Sequence, residues 1–140
     1  MFKHVLIIKI MKIAVLITRV LLGLIYLIFG LNFFFHFIPM QQPPMSKAAT
    51  DFSMGLFGAG YFFPFLKTLE IISGIFLLVN RYTAFFVLFV FPITLNIFLY
   101  HGFLLPSGLT MAAPMLIINL FLGYAYRKYY ASLFTTSPVV

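Results

Sequence analysis

The stretch FLKTLEIISG, residues 65–74, sets Lys67 and Glu70 three positions apart inside a run that is otherwise largely apolar from Phe62 to Val79. Whether these two charges sit in water or in lipid decides the fold. The rest of the chain answers for lipid: 64% of residues are hydrophobic, 8% are charged, and Phe alone accounts for 20 of 140. Mean hydropathy is +1.13. A water-soluble domain of this size cannot bury so much apolar surface. The length suits a single membrane domain, 1–140, with room for about four spans of roughly 20 residues.

The reading is an all-α polytopic membrane protein, a four-helix antiparallel bundle. The first apolar block runs over 14–38 and ends at PMQQPPMSK (39–47), where three prolines and polar residues signal a loop. The second, third and fourth blocks cover 61–79, 84–105 and 109–126, parted by NRYT (80–83) and PSG (106–108). Short turns make neighbouring helices antiparallel. Within the external loop, 39–60, apolar Ala49, Phe52, Leu56 and Phe57 recur at near-helical spacing. That pattern fits either a flexible loop or a short helix on the membrane surface or at the bundle mouth, bending soon after because of Gly55, Gly58 and Gly60. Pro64, Pro92 and Pro114 are expected to start or kink helices.

Lys3, Lys9, Lys12, Arg81, Arg127 and Lys128 fall on one side of this topology and Lys47 alone on the other. The positive-inside rule then puts both termini in the cytoplasm of a multi-pass protein of the cell (inner) membrane. The basic start belongs to the first span and not to a cleaved signal peptide, because its apolar run is too long and no small-residue cleavage site follows. The net charge of +7 does not indicate nucleic acid, since the cations punctuate apolar segments instead of forming a solvated patch. Zero Cys excludes disulfides, thiolate metal sites and dithiol chemistry.

Helical residues three apart share a face, so Lys67 and Glu70 point the same way, with Gly74 one turn on. Glu70 comes out about 14 Å below the outer end of its helix, near the midplane of a core roughly 30 Å thick. An ionised group there needs a partner. Arg19 on the first helix shares a stripe with Gly23, Tyr26 and Gly30, and it is the expected partner if the Gly23 and Gly74 faces meet. Asn119, with Gly123 one turn below, is placed to complete the hydrogen bonds of the carboxylate. Two readings stay open for this group: a lock on helix register, and a ligand or proton site. A second polar set gathers outward, with Asn32 and His36 on the first helix, Lys67 on the second, and Asn96 and His101 on the third. His36 and His101 as axial haem ligands are disfavoured, since lone histidines near helix ends are usually interfacial. No metal site and no intrinsic cofactor are expected.

The segments RVLLGLIYLIFG (19–30), GYFFPFLKTLEIISGIFLLVNRY (60–82) and PITLNIFLYH (92–101) resemble DoxX-like membrane proteins. The resemblance extends from Arg19 to about Gly123 and rests on Arg19, Gly23, Gly30, Gly60, Tyr61, Glu70, Gly74, Asn96 and His101. It implies a four-helix integral membrane protein, with some relatives tied to quinone-linked oxidoreduction, including thiosulfate oxidation. It carries over no catalytic residue, and this chain has no Cys for thiol chemistry of its own.

Two classes of function therefore stand side by side. One is an accessory or anchoring subunit of a quinone-linked oxidoreductase system, with a redox-complex protein as partner. The other is a small quinone- or lipid-binding membrane protein with its ligand at the level of Glu70. Neither makes the chain catalytic on its own. A pump or channel would need more relay groups than one midplane carboxylate unless the chain forms a homo-oligomer. No Ser, His and acid meet at one depth as hydrolysis requires.

Overall fold

A computed structural model describes residues 2–139, and among them there is no strand. Five α-helices follow in chain order: α1 Phe2–Phe35, α2 Lys47–Gly58, α3 Phe62–Leu78, α4 Thr83–Phe103 and α5 Leu109–Ala125. A 3₁₀ turn, Pro106–Gly108, leads into α5, and a 3₁₀ stretch, Arg127–Phe134, follows it.

The first helix differs from the expected 14–38 at both ends. Nothing in residues 2–13 breaks a helix, so α1 begins a full three turns earlier, and its residues 3–13 are exposed. Packing against the other helices starts near Ala14. At 34 residues α1 is about 51 Å long, well beyond a hydrocarbon core of about 30 Å. Its C-terminus comes three residues early because the chain turns back on itself. His36 is left-handed (φ 50°), and the Asn32 side chain accepts from Ile38 N–H at 2.7 Å and donates to Ile38 C=O at 3.2 Å. The Asn32 side chain thereby satisfies both backbone groups of Ile38, beyond the helix, while His36 N–H donates to Asn32 C=O at 2.9 Å.

The loop after it holds α2, started by Ser46, whose hydroxyl accepts from Ala49 N–H at 3.2 Å. Ala49 is its buried residue. The axes of α2 and α3 meet at 86°, a bend that passes through Gly60 at φ 74°, where a side chain would be strained. The helix lies over the end of α4: Phe52 packs on Tyr100 with ring centroids 5.6 Å apart, and Ser53 Oγ lies 3.2 Å from Tyr100 Oη.

The long helices form two pairs. Helix α1 packs most extensively on α3, and α4 on α5. In the first pair the backbones nearly touch: a methyl on Gly74 would lie 2.7 Å from Leu27 N and 2.8 Å from Gly23 O, and one on Gly30 would lie 2.6 Å from Ile71 Cγ1. Small residues allow such approach where lipid supplies no hydrophobic drive between helices. Gly123 makes no comparable contact, since a methyl there meets nothing within 4 Å. The pairs close on a core that includes Leu22, Tyr26, Leu77, Val87, Val90 and Leu122.

Helices α1 and α4 and the Pro106–Ala125 segment are each long and apolar enough to cross a membrane, and the bent α2–α3 pair makes up to four. Both α4 and α5 run unbroken through their prolines. Large side chains such as Ile17, Phe65, Phe85 and Ile117 are more than half exposed. On membrane-spanning helices these faces meet lipid.

Candidate ligand site

Glu70 sits on the inner face of α3 and is 2% exposed. Its Oε2 accepts from Lys67 Nζ at 2.8 Å, while Oε1 is buried with no hydrogen-bond partner. The ion pair is therefore local, i to i+3, and the expected pairing of Arg19 with Glu70 does not form. Arg19 is buried and donates instead to the carbonyls of Leu77 and, at 3.2 Å, Leu78. The register of α1 against α3 keeps the two residues apart. With Gly23 against Gly74 and Gly30 against Ile71, the two helices run antiparallel, so moving down α1 from Gly23 to Arg19 moves along α3 toward its C-terminus. There the last carbonyls lack helical partners and the helix dipole is negative, a favourable seat for a guanidinium. Arg19 thus lies about two turns of α1 away from the level of Glu70.

Asn119 does not reach Glu70 either. Buried on α5, it accepts from Thr94 Oγ1 at 2.7 Å and donates to Val87 C=O at 2.9 Å. The Tyr26 hydroxyl lies 2.5 Å from Thr94 Oγ1. Thr94 Oγ1 also lies 2.9 Å from Val90 C=O, and the contacts from Tyr26 through Thr94 and Asn119 to Val87 stitch α1, α4 and α5 together. Thr94 was not singled out from the sequence. Its signal was the stripe Val87, Val90, Thr94 at spacings of three and four, which marks the buried face of α4. Asn96, two residues on, points about 200° away and is exposed. It takes no part in the site.

The outward polar set also separates. Asn32 is engaged with the α1 turn, and His36 is exposed. His101 is half-buried, its Nδ1 3.0 Å from Leu105 C=O and its ring pressed against Gly108. Among the described residues no three of His, Cys, Asp and Glu come together to hold a metal.

What the fold does bring together is a cavity of about 230 Å³ between the two helix pairs. Tyr26 and Phe29 line it from α1, Lys67 and Glu70 from α3, Ile97 and His101 from α4, and Met111, Ala112 and Met115 from α5. A larger cavity of about 710 Å³ adjoins it beneath α2, with Gln41, Met45, Ser53, Met54 and Tyr100 in its wall. The two share Met40, His101, Gly108 and Met111. A concave, mostly apolar site with a few converging polar groups is the usual form of a small-molecule pocket. Lys67 Nζ has three protons and spends one on Oε2, so Lys67 keeps donors to spare, while Glu70, which also lines the cavity, keeps a buried acceptor without a partner at Oε1.

This is a helical membrane protein with a polar pocket inside the bundle. The DoxX family model matches residues 14–102, more than half of the chain, and the protein belongs to the DoxX family. The match takes in Arg19, Lys67, Glu70 and His101 and stops before α5. No curated protein and no solved structure matches the chain.

Proposed function

We propose that this DoxX-family protein crosses the cell membrane four times, with both termini cytoplasmic, and binds a small amphipathic molecule from the bilayer at the level of Glu70. One observation supports the binding role: Glu70, 2% exposed and with one buried carboxylate oxygen lacking a partner, is a lining residue of a cavity with mostly apolar walls. A buried polar atom left unpaired is unfavourable, and a ligand that supplies the missing hydrogen bond is selected by it. Lipids with polar heads, the quinone class in its oxidised or reduced form among them, are the candidate ligands. Four spans suit α3, whose 17 residues are at the short end of a transmembrane helix and which lies along α1 over its inner face.

A second reading, as accessory subunit beside a quinone-linked redox partner, is compatible with the absence of Cys. Without thiols, dithiol electron transfer must be carried by a partner or by a bound molecule.

The ligand-binding reading is tested by extracting small molecules from the protein purified in mild detergent and identifying them by mass spectrometry. The Lys67→Met/Glu70→Leu double variant is the comparison. One species enriched with the unsubstituted protein and missing from the variant is the expected result. Identical profiles from the two would overturn it. Reporters fused after the last residue and within 41–55 should report cytoplasmic and external positions, respectively, and the reverse pattern overturns the topology.

A further inference from the structure

We infer that the ligand of the Glu70 cavity carries a neutral head group that both donates and accepts a hydrogen bond, an alcohol, phenol or amide, and is neither an ion nor an acceptor-only carbonyl compound. The inference rests on the cavity being a ligand site and adds the chemical class. Glu70 and Lys67 lie 2.8 Å apart and neutralise each other, so the pocket holds no net charge to match an ion. An anion would face Oε1, and a cation would face the Lys67 ammonium. Either loses hydration in an apolar pocket without a full counter-charge.

The hydrogen-bond inventory is more selective still. Oε1 has no partner and can only accept while the carboxylate is ionised. Lys67 Nζ can only donate. Of the other polar groups on the wall, Tyr26 Oη is engaged with Thr94 Oγ1 and His101 Nδ1 donates to Leu105 C=O, which leaves His101 Nε2 as a further acceptor. A hydroxyl matches the open pair in full, giving its proton to Oε1 and taking one from Nζ. A ketone or ether satisfies Nζ and leaves Oε1 as it was. Five of the chain's seven methionines, Met40, Met45, Met54, Met111 and Met115, line this cavity and its neighbour. Flexible thioether side chains adapt to varied apolar shapes. The polar pair therefore sets the head group, while the walls tolerate variation in the body.

The test uses the full chain in lipid nanodiscs, with empty nanodiscs as baseline, and three probes of nearly one shape: naphthol, methoxynaphthalene and naphthoquinone. Naphthol should bind saturably and at least about tenfold tighter than the other two, the penalty for leaving one buried polar atom unpaired. In Lys67→Met/Glu70→Leu the three affinities should converge. In Ala112→Leu, which fills the cavity from the opposite wall and leaves the charges alone, all three should weaken together. Methoxynaphthalene or naphthoquinone binding the unsubstituted protein as tightly as naphthol would overturn the head-group class while leaving the ligand site standing. Saturation by none of the three would remove the ligand site itself. The comparison of probes on the unsubstituted chain requires no variant to fold.

Discussion

Two polar groups are buried in this bundle on either side of Tyr26, and they differ in how completely they are satisfied. Around Asn119 every side-chain polar atom has a partner: Oδ1 accepts from Thr94, Nδ2 donates to Val87 C=O, and the Tyr26 hydroxyl closes the chain. Around Glu70 one carboxylate oxygen has a lysine and the other has none. The first arrangement is what a membrane bundle uses to fix helix positions, with no polar atom left without a partner. The second leaves one acceptor unpaired on a residue that lines a cavity. A satisfied network and an unsatisfied one in the same bundle are thus read as scaffold and site.

That contrast can be broken by substitution, and the largest effect should come from stranding Glu70. Lys67→Met leaves a carboxylate 2% exposed without its only partner, and should lower bundle stability in detergent by about 3 kcal/mol. In a double-mutant cycle, Lys67 and Glu70 should couple strongly and Arg19 and Glu70 should be additive. Coupling between Arg19 and Glu70 as large as that of Lys67 would show that the register described here is wrong. Next in size, Gly74→Ala forces a methyl against the backbone of Leu27 and Gly23 and should cost about 2 kcal/mol by overpacking. An unchanged midpoint in thermal unfolding would contradict the close approach of α1 and α3.

A smaller loss, about 1 kcal/mol, is expected for Asn119→Leu, in line with interhelical hydrogen bonds in membranes. Ligand affinity should stay the same, because Asn119 does not line the Glu70 cavity. Should binding fall as steeply as stability, the division between scaffold and site fails. The smallest stability change belongs to Lys67→Met/Glu70→Leu, near zero, since replacing a whole buried pair by apolar groups of similar volume strands no charge. The same variant should have the largest effect on binding, and a fully retained affinity would place the ligand elsewhere.

Composition by itself determined the solvent. With 64% hydrophobic residues, lipid-facing helices follow from the requirement that backbone groups be satisfied within each segment. Family resemblance was legible too, because it rests on short segments around Arg19, Glu70 and His101 that need no three-dimensional information. The ends of α1 were less legible: helix continues wherever nothing breaks it, whether or not it is buried, and Asn32 closes the far end through a contact six residues away. The sequence put Lys67 on the same face as Glu70, but whether Lys67 or Arg19 is the partner was beyond its reach. Helical-wheel arithmetic says which residues share a face but not how far one helix slides along another, and a slide of two turns separates an Arg19–Glu70 pair from what is found. Tertiary packing decided that slide, through the glycine contacts of Gly23, Gly30 and Gly74. By seating Arg19 on the α3 carbonyls, it left Glu70 with Lys67 and one open oxygen.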